Sequence, residues 1–361
     1  MGMTIQGLRR HAIATSLFPA TTLKEAIEEL GFVQCDPIRA PARAQDLILR
    51  QRVAGYRAGD LERHYPKLGL EEDYLYAYGV VPDATWRLLH PRAKRRLSKG
   101  EIKVWELVCA QAKMHPRELE PHLGRRRQVN AWGGYSKETT RILEVLHYCG
   151  LLRVAGREKG IRIYQAARAQ EEYLEPGERL RRLVLLMAKI LAPVPERSLR
   201  AAIRHLGHAA PNLKGRLQVV KTLITDGDLH VADVEGVRYL WPAGELVERE
   251  PEVVVRFLAP FDPVVWDRYR FEHLWGWAYR FEAYTPIAKR KLGYYALPLL
   301  FGDDVIGWVN VNKRGKGVEV AEGFAKEKPK GRVFKNAFAE EVERMRAFLS
   351  SMDQTSTVSE S

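Results

Sequence analysis

The same succession of predicted elements occurs twice in this chain: three helical segments, then a two-stranded hairpin. Between residues 101 and 167 the helical segments precede "LLRVAGREKGIRIYQ", two alternating runs joined by Gly156-Arg-Glu-Lys-Gly160. Residues 176–243 repeat the order, and their hairpin turns at Glu235-Gly236. Three helices followed by a two-stranded wing are the layout of a winged helix. The sequence therefore predicts winged-helix domains in tandem.

The residues before this repeat begin with the same helix-rich pattern. Thr22-Leu-Lys-Glu25 is a capping box that opens the helical stretch "LKEAIEEL", and Gly31 is placed to end it. The stretch "DYLYAYGVV" (73–81) is aromatic and strand-like. We therefore interpret this first unit as a third copy with a less regular wing.

After Pro251 the pattern changes to closely spaced strands, with turn signals at Gly302-Asp-Asp304 and Gly315-Lys-Gly317 and a final helix, "AFAEEVERMRAFLS". The predicted fold class is α+β: tandem winged-helix domains, three in number, followed by a small antiparallel β-barrel. The predicted domains are a first winged-helix-like unit (1–99), a second winged helix (100–170), a third (171–248), the C-terminal β-barrel or sheet with its terminal helix (249–350), and a disordered polar tail (351–361).

The charge balance of the chain favours an anionic partner. Among 361 residues, 58 are Lys or Arg and 45 are Asp or Glu, which gives a formal charge of +13. Nucleic acid is the commonest large anion that such proteins bind, although a basic composition alone does not establish binding. Three separated cysteines without a CxxC pair exclude a disulfide framework and fit a reducing, cytoplasmic setting. The sequence has neither a signal-peptide core nor a run of about 18 apolar residues, so we expect neither export nor membrane insertion.

Basic residues form clusters in separate units. Those in the second wing and in the C-terminal region are Arg153, Arg157, Lys159, Arg162, Lys289, Arg290 and Lys291. Such side chains suit phosphate contact, although each cluster taken singly is also typical of a solvated surface. The third wing differs, because its tip, Asp233-Val-Glu235, would repel phosphate. Clusters in separate units favour an extended basic groove.

The stretch "GFVQCDPIRAP" (31–41) places two polar side chains in a segment that otherwise tends to be buried. If this segment is extended, Gln34 and Asp36 lie on one side, roughly 6–7 Å apart along the backbone, while Cys35 faces inward. Pro37 disfavours a helical conformation at Asp36. Periodicity leaves two interpretations open: a polar pair that holds one small target, or an exposed Gln34 beside an Asp36 that caps the following helix.

Three features together resemble the AlkZ/YcaQ-type winged-helix DNA glycosylases, enzymes that unhook DNA interstrand crosslinks. These features are "QCDPIRAPARAQDLILRQR", the repeated winged-helix layout and "LAPFDPVVWDRYRFEHLWGWAYRFEAYTPIAKRKLGYYALPLLFGDDVIGW". The similarity extends to about residue 350 and is most specific from Leu258 to Trp308. It implies that Gln34-Cys35-Asp36 corresponds to the Gln-hydrophobic-Asp signature of one branch of the family, with both polar residues catalytic.

The chemistry of the implied substrate agrees with this pair. A guanine alkylated at N7 is positively charged and leaves readily, so the reaction needs stabilisation of an oxocarbenium-like sugar and a positioned water, as in glycoside hydrolysis without the acid. The resemblance implies a monofunctional hydrolase with Asp36 as the water-activating carboxylate and Gln34 as the positioning amide, without a metal or another cofactor. A crosslinked guanine cannot swing out of the duplex, so an open channel is expected rather than a closed pocket.

The glycosylase hypothesis also assigns partners to the basic residues. Arg39 and Arg43 are expected to hold phosphates that flank the lesion, and Arg157, Lys159, Lys289 and Arg290 are expected to contact DNA. The expected partner is double-stranded DNA with alkylated or crosslinked guanine, bound by a cytoplasmic, nucleoid-associated monomer.

Some positions depart from the family pattern. Where relatives carry aromatic-Trp-x-His, this chain has "DYLYAYG", with Leu75 and Tyr76 or Tyr78 at the matching place, and Gln45 stands where His is common. Tyr284 and Trp266 recur in the family, and we expect both in the core because aromatics in a small barrel are usually buried.

Two interpretations compete with catalysis: a non-catalytic winged-helix transcriptional regulator and a protein-interaction scaffold whose basic charge is incidental.

Overall fold

The computed structural model describes residues 2–92, 95–123, 127–129, 135–168, 174–244, 250–315 and 317–350. The predicted disordered tail, 351–361, lies outside these residues. No helix within these ranges is both long and apolar enough to cross a membrane.

The first unit contains a three-stranded sheet as well as the predicted helices. Its elements are α1 (Ile5–Ser16), α2 (Leu23–Leu30), β1 (Val33–Gln34), α3 (Ala44–Leu49), α4 (Asp60–Leu68), β2 (Leu70–Tyr74), β3 (Tyr78–Pro82) and α5 (Asp83–Leu89). The predicted capping box opens α2, and Gly31 ends that helix at φ 67°, as expected. The sheet order is β1-β3-β2, so β1 is an edge strand. Because β2 and β3 pair along their full length, the hairpin of this unit is more regular than the sequence indicates.

The second unit has the predicted helices and hairpin. Its elements are α6 (Lys99–Cys109), a 3-10 turn (Pro116–Leu119), α7 (Glu120–Leu123), β4 (Arg127–Val129), β5 (Tyr135–Lys137), α8 (Glu138–Tyr148), β6 (Leu152–Glu158) and β7 (Ile161–Ala166). The predicted five-residue turn is wrong, because Glu158 pairs with Ile161 and only Lys159 and Gly160 connect the strands. Both connecting residues have positive φ, 48° and 81°, as in a type I′ turn. Gly156 instead lies where the strand register shifts.

The third unit has the same connectivity as the first. Its elements are α9 (Pro176–Ile190), β8 (Val194–Pro195), α10 (Glu196–Ala209), α11 (Arg216–Thr225), β9 (Leu229–Val234) and β10 (Val237–Pro242). The sheet order is β8-β10-β9, with the last strand in the centre, which matches β1-β3-β2. The predicted turn at Glu235-Gly236 is confirmed, with φ values of 49° and 78°. Each of these two sheets therefore pairs a two-residue strand with a longer hairpin.

The C-terminal region forms an open sheet and not the predicted barrel. Its elements are β11 (Val255–Phe257), α12 (Pro263–Trp266), α13 (Arg268–Trp275), a 3-10 turn (Ile287–Lys289), β12 (Leu297–Phe301), β13 (Asp304–Arg314), β14 (Gly317–Phe324) and α14 (Arg332–Leu349). The antiparallel order is β11-β12-β13-β14, and in the described residues β11 and β14 do not pair. Helix α14 packs on both edge strands through buried residues such as Phe334 and Met345. It thereby covers apolar surface that a closed barrel would bury inside itself.

The units share their cores across the chain. Helix α1 packs on α12 and α13, and Arg9 Nε donates to the carbonyl of Leu274 at 2.5 Å. A second link is the bidentate pair between Arg52, three residues after α3, and Asp262, the N-cap residue of α12, with N–O distances of 2.8 and 3.0 Å. Both side chains of this pair are fully buried. The C-terminal region is therefore packed against the unit that contains the Gln34-Cys35-Asp36 motif, through helices α12 and α13.

Candidate active site

The motif lies on the free edge of the first sheet. Gln34 pairs with Gly79 of β3, and the amide of Cys35 continues the pairing by donating to the carbonyl of Tyr78 at 2.9 Å. A Cβ at position 79 would lie 2.4 Å from the carbonyl oxygen of Val33 and 2.5 Å from the ring of Phe32, so only glycine permits this approach. The strand is thus held closely against β3, while Gln34 and Asp36 remain partly exposed.

Asp36 is held by two local hydrogen bonds. Its Oδ1 accepts from the backbone amide of Ile38 at 2.9 Å, and its own amide donates to Oε1 of Gln45 at 3.3 Å. Burial raises the pKa of the Asp36 carboxyl, and the bond from Ile38 partly opposes that rise. The helix-cap interpretation is wrong, because α3 begins after Arg43 and has no side-chain cap. Gln45, where the family commonly has His, supports the Asp36 backbone.

The amide of Gln34 presents an unsatisfied acceptor. Its Oε1 is buried and has no hydrogen-bond partner among the described residues. A buried polar atom left without a partner costs about 1–3 kcal/mol, so such an atom next to a carboxylate indicates a place for a water molecule or substrate group.

Cys35 points toward a cavity between the first and second units. This small cavity is lined by residues that include Cys35, Gln45, Asp46 and Glu72. Burial raises the pKa of the Cys35 thiol far above its ordinary value. The thiol is therefore protonated and unreactive at neutral pH, which agrees with its expected role as an apolar spacer.

Tyr295 is a residue that the sequence analysis missed. It precedes β12, is only 3% exposed, and packs in the same core cluster as Val33. Its hydroxyl has no hydrogen-bond partner within the described ranges. Burial, and after it the negative charge of Asp36, raises the pKa of Tyr295, so the hydroxyl stays protonated. The C-terminal region thus supplies a neutral hydroxyl to the core on which Cys35 and Ile38 pack. The only sequence signal for it was its place inside the segment that most resembles the family.

Three predicted DNA-contacting residues line one groove. Arg39, Arg43 and Lys159 line one groove together with Arg63. Arg39 and Lys159 are exposed, whereas Arg43 donates to Glu62 at 2.5 Å. The fold therefore brings the turn between β6 and β7 next to the residues that follow the Gln34-Cys35-Asp36 motif.

Arg157 has a different environment from the one predicted. Its guanidinium binds Glu72 of β2, at 3.0 Å to Oε1 and 2.5 Å to Oε2, and Arg162 adds a contact of 3.6 Å to the same carboxylate. Burial by itself would raise the pKa of Glu72, but the two guanidinium groups bring it below its ordinary value. Arg153 likewise pairs with Glu71 at 2.8 Å. These cations join the β6–β7 hairpin of the second unit to the sheet of the first unit.

The aromatic positions divide into buried and exposed groups. Tyr76 is 5% exposed and stacks edge-on against Trp266 with ring centroids 4.6 Å apart, so Trp266 packs against the core as predicted. The hydroxyl of Tyr78 donates to Glu72 at 2.8 Å. The core prediction for Tyr284 is wrong: it is 80% exposed, in a loop without strand structure that also carries Lys289 and Arg290.

In the part of the chain that the structure describes, no group of three or more His, Cys, Asp or Glu side chains is arranged to hold a metal ion. The expectation of catalysis without a metal stays a prediction.

Comparisons with known proteins agree with this architecture. A family model described as DNA glycosylase AlkZ-like matches residues 27–348, a span that includes the motif and Tyr295. Among solved structures, the Streptomyces sahachiroi DNA glycosylase AlkZ aligns with a TM-score of 0.64 at 13% sequence identity, covering 97% of this chain and 98% of that chain. At that identity the structural match supports the fold, and the family match carries the functional assignment.

Proposed function

Because the chain belongs to the AlkZ-like family of DNA glycosylases, we propose that it hydrolyses the N-glycosidic bond of N7-alkylated guanine in duplex DNA, including guanines joined in interstrand crosslinks. As a DNA glycosylase it is an enzyme that acts on DNA, which sets aside the regulator and scaffold interpretations. The proposal assigns it to the Gln-hydrophobic-Asp branch. In the same proposal the enzyme works as a monomer on chromosomal DNA in the cytoplasm, and its first three units are winged helices.

The observation that carries this proposal is the state of Asp36 beside Gln34. Asp36 caps no helix, one of its oxygens is held by Ile38, and the Oε1 of Gln34 lacks a partner in the described residues. A carboxylate and an amide on one open edge strand can hold a single water between them. The edge position also suits a guanine that is tethered to the opposite strand and cannot enter a closed pocket.

The reaction needs no acid at the leaving group. The bond between C1′ and N9 breaks, and its electron pair neutralises the positive charge of the alkylated base. Asp36 stabilises the cationic sugar and accepts a proton as water adds to C1′, while Gln34 orients that water. The protonated hydroxyl of Tyr295 is available as a further donor to the same water. The product is an abasic site.

Removal of the carboxylate charge tests this assignment. Asp36→Asn keeps an oxygen that can accept from Ile38, so the local turn is preserved, and excision of 7-methylguanine from a duplex should fall by about 10²–10⁴-fold. Alkali cleavage of the abasic product measures the rate, and fluorescence anisotropy measures DNA affinity, which should stay within about twofold. Asp83→Asn, at an exposed carboxylate of the same unit that pairs with Arg87, is the matched control. Undiminished excision by Asp36→Asn would refute the mechanism.

A second substrate separates the two parts of the proposal. A duplex with a nitrogen-mustard crosslink between guanines should be unhooked by the wild type and not by Asp36→Asn. Excision of 7-methylguanine without any unhooking would limit the enzyme to adducts on one strand of the duplex.

A further inference from the structure

The loop from Tyr284 to Tyr294 exposes large apolar side chains. Tyr284 and Ile287 are each 80% exposed, the highest values among the large apolar residues of the described ranges, and Tyr294 is 44% exposed. Large apolar groups on a surface loop of this kind are typical of a contact surface.

This loop is held in one conformation. The carboxylate of Glu282, only 5% exposed, accepts from the backbone amides of Lys291, Leu292 and Gly293 at 2.9, 2.7 and 3.3 Å. Asn310 of β13 donates to the carbonyl of Leu292 at 2.8 Å. The exposed side chains are thus presented on a preorganised backbone, which lowers the entropy lost on binding.

The same loop carries three cations. Lys289, Arg290 and Lys291 have no acidic partner within the described part of the chain. Arg290 instead donates to the carbonyl of Thr285 at 2.8 Å and lies over the ring of Tyr294 at 5.0 Å. Uncompensated positive charge next to exposed rings is complementary to a nucleic acid, whose phosphates flank stacked bases.

The loop is followed by a residue of the core beside the motif. That residue, Tyr295, is buried in the core cluster that contains Val33 and against which Cys35 and Ile38 pack. The ring of Phe281 links the two parts, because it contacts Tyr284 at 6.0 Å and Tyr295 at 5.2 Å between centroids. We therefore expect DNA whose lesion reaches Asp36 to lie near this loop.

We propose that the Tyr284–Tyr294 loop is a wedge that inserts Tyr284 and Ile287 between base pairs next to the damaged guanine, while its cations hold the adjacent phosphates. Apolar side chains that enter a base step unstack it and kink the duplex. For this enzyme, the kink would turn C1′ of the lesion toward Asp36 without flipping the base. The inference rests on the proposed function, since the lesion defines where the wedge acts.

Base unstacking measured without catalysis tests the wedge. The probe is a duplex with a tetrahydrofuran residue, a stable abasic analogue, next to 2-aminopurine, whose emission rises when it is unstacked. Saturating wild-type protein should raise the emission several-fold. The double variant Tyr284→Ala, Ile287→Ala should abolish the rise and bind about tenfold more weakly, as expected for the loss of one or two stacked contacts. Tyr284→Phe, which keeps the ring, should retain the rise.

Matched variants separate the wedge from a simple charge contact. Lys289→Met, Lys291→Met should bind with a shallower salt dependence yet raise the emission fully at saturation. Val333→Ala removes another exposed apolar side chain, 61% exposed on α14, and should behave as wild type. Full emission by the Tyr284, Ile287 double variant overturns the proposal. A second result would also overturn it: the wild-type protein binds anionic phosphatidylglycerol vesicles, and the double variant loses this binding while its DNA affinity is unchanged. Because the probe contains no base to excise, this result does not depend on the Asp36 experiment.

Discussion

Removal of the Arg157 guanidinium should weaken the fold much more than it weakens DNA binding. Arg157→Met leaves Glu72, whose side chain is 5% exposed, without its bidentate partner. Loss of one member of a fully buried pair costs about 3–5 kcal/mol. Arg157 is itself 22% exposed and Arg162 remains 3.6 Å from the carboxylate. We therefore expect the free energy of unfolding to fall by about 2–3 kcal/mol, measured by urea denaturation at pH 7.

The pH dependence of that loss follows from Glu72. In the native protein its pKa lies below the unfolded value, so the pair stabilises the fold above the unfolded pKa of about 4.3, and this contribution disappears as pH falls through the lower folded pKa. The difference in stability between wild type and Arg157→Met should consequently be largest near neutral pH and should shrink in acid.

Lys159→Met is the matched comparison, because it removes an exposed cation two residues away that has no ion-pair partner in the described residues. If Lys159 contacts a phosphate, this variant should reduce the slope of log K against log salt by about 0.9 and leave stability unchanged. Arg157→Met should leave the slope as it is. If Arg157→Met unfolds with the same free energy as the wild type and has a smaller slope of log K against log salt, Arg157 contacts DNA and does not stabilise the fold.

Three further outcomes are expected. Tyr295→Phe should slow excision about 3–10-fold, the value of one neutral hydrogen bond in the transition state, with unchanged DNA affinity; an unchanged rate would exclude its hydroxyl from the reaction with Asp36. Burial and then the charge of Arg270 lower the pKa of His11 to about 4. The free energy of unfolding should therefore decline by about 3 kcal/mol as pH falls from 6.5 to 4. His11→Gln should remove this pH dependence, as measured by urea denaturation across the same pH range. Asp262→Asn leaves Arg52 buried without its counter-charge and should cost about 3–5 kcal/mol in urea unfolding, and a loss below about 1 kcal/mol would contradict a buried ion pair.

Local patterns in the sequence predicted the local structure well. The capping box at Thr22, the helix end at Gly31 and the turn at Glu235-Gly236 each depend on residues within a few positions, and all three are confirmed. The open C-terminal sheet was not predictable in this way. Whether strands close into a barrel depends on what covers their apolar face, and α14 does so here.

Of the candidate site, only the residues close together in the sequence, Gln34 and Asp36, were predictable. Alternation put Gln34 and Asp36 on one side, and the resemblance to a family gave the pair a function that still awaits the Asp36 test. Periodicity carries no information about Tyr295, which packs in the same core cluster as Val33 although the two residues are far apart in the sequence. The pairing of Arg157 with Glu72 is similarly non-local, so a cation on a predicted wing looked available for phosphate although it is bound to the neighbouring sheet.

The packing of α1 on the C-terminal helices has a consequence for synthesis on the ribosome. The hydrogen bond from Arg9 to Leu274 spans 265 residues, so at about 5–20 residues per second the apolar face of α1 waits roughly 15–50 s for its partners. During that time the first sheet has been translated, but neither Tyr295 nor the strands that anchor it exist. A nascent chain of this length therefore carries Gln34 and Asp36 without the rest of the site. We expect glycosidic cleavage to begin only after the C-terminal sheet has emerged and docked, which delays activity until the second and third units are also in place.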